Sequence, residues 1–377
     1  MQGTGGSRGS GRAGVDHYSQ RNGSANGTED GVPRRVKPGW VTRRIPAGWE
    51  VQWRPVTAPK AGDVLLCEIA KVSLHSRLET RTGERSGLYE GDLVVCAVGA
   101  RYATSMLEGA AEIHGDLADL LSASGVCGSV LERSEKRPLA TSLRVIAQAF
   151  DSGEPLNLRS FGLEGAPSRA GREPLWALVL GSAMDSGKTT ACTALIHAFS
   201  RAGLRVGAVK LTGTASARDL GAYRDAGAAP VLDFLDCGWE STAGCSTLEL
   251  ERIVCALVAE LRGAQLDLAV VEVADGITQP ETRALLEDLR RRFNDPTVIF
   301  TARESLAAVA GVERLRRMGY GVRAVSGVVT NSPLGVREVE LEAGVPCVRT
   351  RDLGRWALEL GWFSGEPAGR RAVAATA

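Results

Sequence analysis

Lysine is scarce in this chain of 377 residues. Of its 45 basic residues, six are lysine (Lys37, Lys60, Lys71, Lys136, Lys188 and Lys210) and the rest are arginine. Genomic base composition accounts for arginine on the surface. It does not account for where the last two lysines fall. An excess of charge of either sign is also missing, with 45 basic residues against 44 acidic ones. That balance argues against a nucleic-acid binder, and the helix ending in Arg290, Arg291 and Arg292 carries too few cations to form a track. No apolar run approaches the ~18 residues of a membrane span. The opening stretch MQGTGGSRGSGRAG has no hydrophobic h-region, which predicts a cytoplasmic protein without a secretory signal. The eight cysteines contain no CxxC pair, and the four histidines do not cluster at metal-ligand spacing. A disulfide framework and a structural zinc site are therefore not expected. Cysteines such as Cys96 in DLVVCAV and Cys255 in RIVCALV read as small buried hydrophobes.

Apolar residues are plentiful at 44%, enough for two domains and a tail. Residues 1–40 are rich in Gly, Ser, Asn and Arg and read as a disordered tail. Residues 41–165 alternate apolar and polar side chains between Gly-containing turns, as in GDVLLCEIAKV and GDLVVCAVGARYA. This predicts a small β-rich domain, barrel or sandwich, with one or two helices, one of them around Met106 to Leu121. EGAPSRAGREP (164–174) has the composition of a linker.

The rhythm changes at 175. Continuous apolar strands (LWALVLG, RVGAVKL, APVLDFLD, LDLAVVEV, TVIFTA, VRAVSGVVTN, GVPCV) alternate with helical stretches. This predicts an α/β domain over 175–365, with a doubly wound, mainly parallel sheet. Between its first strand and first helix lies Gly181-Ser182-Ala183-Met184-Asp185-Ser186-Gly187-Lys188-Thr189-Thr190. A glycine-rich turn there lets backbone N–H groups and a helix N-terminus cradle phosphate. Gly181, Ser186, Gly187, Lys188, Thr189 and Thr190 are the expected nucleotide contacts, with Lys188 on the β/γ-phosphates and the Thr189 hydroxyl on Mg²⁺. The loop encloses five residues between Gly181 and Gly187, one more than the usual pattern. Glu272 ends a buried strand, where an acidic group either binds Mg²⁺ or orients water. Lys210 ends the second strand and faces the same crevice. Asp219 and Asp225 follow on a helix predicted over 217–225, and either could be a second acidic group on the metal.

On these residues the 175–350 segment resembles the dethiobiotin synthetase-like group of P-loop NTPases, which includes the cobyrinic acid synthetases. It is also similar to the bacterial proteins of domain of unknown function 1611. Dethiobiotin synthetases share the five-residue spacing. RVGAVKLTGTA is similar to their second strand, which implies a substrate- and phosphate-contacting role for Lys210. VVEVADG is similar to their acidic turn, with Val273 and Asp275 in place of glycines, and implies Glu272 and Asp219 as Mg²⁺ ligands. VSGVVTNSP implies that Asn331 reads adenine; alternatively Asn331 forms the turn before Ser332-Pro333.

The resemblance implies ATP and Mg²⁺ as cofactors and Lys188 and Lys210 as catalytic residues. The implied reaction is γ-phosphoryl transfer to a carboxylate or carbamate of a small-molecule substrate, of ligase type. It further implies a homodimer, while the charge balance and the lack of a long apolar run predict no nucleic-acid or membrane partner. A second class stays open: a nucleotide-dependent switch or accessory ATPase whose N-terminal domain senses a ligand or partner.

Overall fold

The computed structural model describes residues 36–164 and 173–362. The tail expected over 1–35 and the linker core 165–172 lie outside the described residues.

The first half is built of short strands: β1 (Val36–Pro38), β2 (Gln52–Arg54), β3 (Val64–Lys71), β4 (Arg77–Glu79), β5 (Arg85–Gly87) and β6 (Leu93–Val98). They continue as β7 (Arg101–Ala103), β8 (Leu107–Ala110), β9 (Leu117–Leu120), β10 (Val126–Arg133), β11 (Thr141–Asp151) and β12 (Glu154–Pro155). Five of them close on themselves. β6 pairs with β3, β3 with β11, β11 with β9 and β9 with β10, and β10 returns to β6 in parallel. Closure leaves this ring without a free edge. The period of two sends Leu65, Cys67 and Ile69 inward from β3, and Val94, Cys96 and Val98 inward from β6. The barrel is therefore filled by side chains and has no channel.

Two expectations are corrected here. Residues 36–40 are not tail. β1 pairs with β6, and Trp40 is buried behind it, because Val36 and Trp40 supply apolar surface that the preceding stretch lacks. Met106 to Leu121 is not helical. It forms β8 and β9, and no α-helix occurs among the described residues of 36–164. The spaced apolar residues that mimic a helical period there are inward positions of two strands separated by a turn.

The second half has six parallel strands: β13 (Leu175–Gly181), β14 (Val206–Lys210), β15 (Val231–Asp233), β16 (Leu268–Glu272), β17 (Thr297–Thr301) and β18 (Val322–Ser326). Their order is β15-β14-β16-β13-β17-β18. Consecutive residues of β13, β14 and β16 are buried, so both faces are covered. The cover is α1 (Lys188–Arg201), α2 (Ala217–Asp225), α3 (Thr247–Gly263), α4 (Pro280–Arg292), α5 (Ser305–Arg317), α6 (Pro333–Ala343) and α7 (Leu353–Glu359). Three strand expectations shorten. After β15 the Asp233 side chain accepts from Leu235 N–H, and the Asp236 side chain accepts from Asp233 N–H, so a 3₁₀ turn replaces the ladder. β18 stops at Ser326 because Gly327 takes φ +91°. GVPCV makes a single bridge, Val325 to Cys347, in place of a strand.

The halves are docked through buried contacts. Arg43 pairs with Asp233 at 2.6 Å and Asp236 at 2.9 Å, all three side chains being nearly inaccessible. Burial opposes the Arg43 charge, but the two carboxylates outweigh it and hold the guanidinium above its ordinary range. From the barrel, Glu79 accepts from Ala217 N–H at 2.8 Å, at the start of α2. Trp40, Val41 and Val64 share one continuous core with the parallel sheet.

One docking residue titrates. Glu240 is 3% exposed and sits under Gly99. Its Oε2 has no hydrogen-bond partner among the described residues. Burial pushes its carboxyl up to about 7, against a weaker pull from Arg159, with Glu249 and Asp63 adding to the rise. The folded state thus prefers the proton. Glu240 contributes stability below the unfolded value of 4.5, and that contribution is lost as pH rises through about 7. Glu240→Gln should therefore stabilise the protein at pH 8 by about 2–3 kcal/mol while changing little at pH 4.5. Urea titrations at both pH values check this. Equal effects at the two would show that the carboxyl does not titrate in the folded state.

Candidate functional site

The glycine-rich loop follows β13 and runs into α1, with Gly187 as the helix N-cap at φ +100°. A side chain there would be strained, and its Cβ would lie 3.0 Å from Gly327 Cα. No side chain caps α1 and no acidic residue occupies its first turn. Its N-terminal N–H groups and the positive dipole end are thus presented to solvent space. Gly181 is equally constrained, since a Cβ would lie 2.5 Å from Ser186 Oγ. The loop is tied from behind by three contacts: Ser186 Oγ with Thr301 Oγ1 at 2.8 Å, Ser182 N–H to Thr301 O, and Val328 N–H to Ser186 O. Ser186 is buried by these contacts. It shapes the loop and lies outside the cavity wall.

The loop borders a cavity of about 770 Å³. Gly187, Lys188, Thr189, Thr190, Lys210, Asp219 and Glu272 all line it. Asp225 is exposed at the far end of α2 and does not. Asn331 is also exposed, at the end of the 3₁₀ turn Val328–Asn331, whose first residue does reach the cavity.

The charges in the cavity are interlocked. Lys188 Nζ donates to the carbonyls of Ala183, at 2.9 Å, and Asp275. Burial pushes its ammonium below the ordinary value, with Glu272 and Asp275 only partly opposing. Lys210 forms an ion pair with Asp219 at 2.5 Å. Burial disfavours its charge too, but Asp219 and Glu272 more than compensate and hold it above the ordinary value. Glu272 is 2% exposed, and its Oε2 accepts from Tyr223 OH. Burial raises its carboxyl, opposed by Lys210 and Lys188. Thr189, Glu272 and Asp219 offer only oxygen donors, a set that fits Mg²⁺. One oxygen of each carboxylate is already engaged, by Lys210 and by Tyr223.

Sequence reasoning missed the opposite wall. The barrel contributes His75, Glu79, Arg85, Arg101, Ser122 and Ser124. Arg101 is 9% exposed and donates to Leu121 O, and its Nε has no partner among the described residues. Burial, and then Arg101, push His75 down to about 4, so it is neutral. Ser105 reaches the loop itself, 3.1 Å from Met184 Sδ and 3.4 Å from Asp185 Oδ2. Only Tyr223 had a signal in the sequence: it lies four residues after Asp219, on the same face of α2.

Parallel sheet, strand–loop–helix junction and Gly-Lys-Thr together define a P-loop nucleotide-binding fold. No protein-family model matches the chain, and no curated protein does. Among solved structures it is similar to the signal recognition particle 54 kDa protein from Aeropyrum pernix in complex with GDP. The identity is 17% and the TM-score 0.33, over 54% of this chain and 51% of that one. It is also similar to the signal recognition particle receptor FtsY from Elizabethkingia anophelis, at 18% identity and TM-score 0.34, over 52% and 67% of the two chains. The chain thus spans about half the length of the first.

Gly327 offers a test of the loop. A Cβ there would lie 2.1 Å from Ser186 O, at a φ that side chains avoid. Gly327→Ala should distort the loop, weakening nucleotide binding at least tenfold and costing about 1–3 kcal/mol of stability. Gly263→Ala, where nothing lies within 4 Å, should leave both nearly unchanged. Calorimetry with ATP and with GTP, Mg²⁺ present, on both variants decides.

Proposed function

We propose that the chain is a Mg²⁺-dependent ATP-binding enzyme, akin to the dethiobiotin synthetase-like group. It passes the γ-phosphoryl to an oxygen of a small carboxylate or carbamate held between barrel and loop. The observation that carries this reading is the two-sided cavity: P-loop cations form one wall, and the barrel cations Arg85 and Arg101 form the other. A lone nucleotide-binding loop has no need of a second cationic wall.

The chemistry follows from charge. The bond from the γ-phosphorus to its bridging oxygen breaks, a bond to the acceptor oxygen forms, and ADP leaves. An amine then attacks the acyl carbon; its bond to the phosphate oxygen breaks, an amide forms, and inorganic phosphate and a proton leave. Mg²⁺, held by Thr189, Glu272 and Asp219, would neutralise phosphate charge. Lys188 exchanges its two carbonyl contacts for phosphate oxygens, and its burial strengthens that attraction. Lys210 stays charged through Asp219 and faces the acceptor side. Arg101 orients the acceptor's carboxylate, a planar anion suited to a guanidinium. Positioning and neutralisation supply the catalysis.

The switch reading retains one specific support. Ser105 of the barrel touches Met184 and Asp185 of the loop, so the barrel would sense the loop's occupant.

Lys188→Ala should weaken Mg·ATP binding about a hundredfold. Lys210→Met and Arg101→Met should bind Mg·ATP within about threefold of the parent, yet lose acceptor-dependent ADP release by at least about a hundredfold. ADP release is measured against a panel of carboxylates with and without amines. Release indifferent to every acceptor, with barrel amide exchange that differs between ATP and ADP, would favour the switch instead. GTP binding tighter than ATP would reject the adenine role of Asn331.

A further inference from the structure

Two charged side chains of the barrel wall border the cavity without a counter-ion. Glu79 on β4 is 5% exposed and Arg101 on β7 is 9% exposed, and both line the cavity. One turn, between β9 and β10, anchors the two of them. Its Ala123 O accepts from Glu79 N–H at 2.7 Å, and its Leu121 O accepts from Arg101 Nη1. Glu79 Oε2 is engaged by Ala217 N–H. Among the described residues its Oε1 has no hydrogen-bond partner, and neither side chain belongs to an ion pair.

A buried charge left alone is costly. Burial works against the Glu79 carboxylate, with the Ala217 N–H and Arg85 opposing. It works against the Arg101 guanidinium as well, with Asp275 opposing. A ligand that brings an ammonium to the first and a carboxylate to the second relieves both and adds no net charge to the cavity. Resting on the phosphoryl-transfer reading above, we propose that the acceptor is a small zwitterionic aminocarboxylate. Glu79 holds its ammonium, and Arg101 holds the carboxylate that takes the phosphoryl group. The ammonium keeps its protons throughout and takes no part in the bond making.

The rest of the wall fits a ligand of both signs. Ser122 and Ser124 belong to the same turn and line the cavity, with their hydroxyls 2.6 Å apart. A hydroxyl can donate to a carboxylate or accept from an ammonium. His75, 3.3 Å from Arg101, is neutral and brings no competing charge. Arg85 is exposed and makes no ion pair with Glu79, so its charge is largely answered by water. Asp219, across the cavity, is already paired with Lys210 and is not free for an ammonium. A simple carboxylate would satisfy Arg101 and leave Glu79 unpaired beside a second anion. A simple amine would satisfy Glu79 and leave Arg101 alone.

The test is calorimetry on the full-length chain with Mg²⁺ and a non-hydrolysable ATP analogue. The probes are glycine, β-alanine, γ-aminobutyrate and δ-aminovalerate, each against its carboxylate without the amine. At least one aminocarboxylate should bind about tenfold or more tightly than its partner. Glu79→Gln, which keeps an acceptor for Ala217 N–H, should erase that preference. Glu108→Gln, an exposed carboxylate on β8, should keep it. If Glu79→Gln fails to fold, carbodiimide coupling of the tightest probe to the parent, mapped by peptide mass spectrometry, decides, with an amide at Glu79 expected. No preference in the parent, a preference that survives in Glu79→Gln, or coupling only at other carboxylates would each overturn the proposal. ADP release separates it from the reading on which it rests. Release with simple carboxylates and no ammonium preference overturns the zwitterion and leaves phosphoryl transfer standing. Glu79-dependent binding without ADP release overturns phosphoryl transfer and leaves the zwitterion subsite.

Discussion

The docking of a closed barrel onto the carboxyl ends of a parallel sheet governs everything else in this molecule. Its centre is the buried triad of Arg43, Asp233 and Asp236. Such a set gives little net stability against an apolar replacement, but loss of one member leaves a buried charge uncompensated. What it specifies is orientation. Arg43 can satisfy both carboxylates only when the strand β15 and the segment after β1 sit side by side. That placement sets Glu79 on the first turn of α2 and brings Arg101 opposite Lys188. Without the docking, the P-loop would open onto solvent and the cavity would lose its second wall.

The loop itself is held by a different economy, that of small residues. Gly181, Gly187 and Gly327 leave no room for side chains, and Ser186 turns inward to Thr301. The backbone is thereby fixed with its N–H groups outward, which is what an anion needs. Rigidity behind the loop also explains why Ser186 contributes shape rather than a contact. The sensitive element is Gly327, which directly follows the last strand of the sheet and does not belong to the loop. The phosphate-binding motif is thus completed from far away in sequence.

That distance marks the boundary of what the sequence made legible. Lys188, Thr189 and the βα rhythm depend on neighbours within a few residues, and their placement could be read directly. The helix over 217–225 was legible for the same reason, with Ser216 as its N-cap. The choice between Asp219 and Asp225 was not, because it depends on which face of α2 packs toward β14. The barrel wall of the cavity was invisible, since His75, Arg85 and Arg101 meet the loop only through docking. The meeting of the barrel cysteines Cys67, Cys96 and Cys127, roughly thirty residues apart, was equally invisible, although each is the small buried side chain its apolar strand implies. Each reading was locally sound. Strand pairing made them neighbours, and no periodicity in a single strand encodes a pairing across a closed ring.

The scarcity of lysine takes on a physical meaning in this setting. Beyond Lys136 the chain keeps lysine only at 188 and 210, and the two are treated oppositely by their surroundings. Lys210 is locked to Asp219 and held charged. Lys188 is buried among carbonyls, with its ammonium destabilised. An ammonium whose present partners are neutral has the most to gain from an arriving polyanion. One already paired with a carboxylate has little. A guanidinium could not substitute at 188, because its planar fork needs room that Gly181 and the loop do not leave. Under the proposed function, the asymmetry makes Lys188 the cation for the nucleotide and Lys210 a fixed positive charge for the acceptor that follows it.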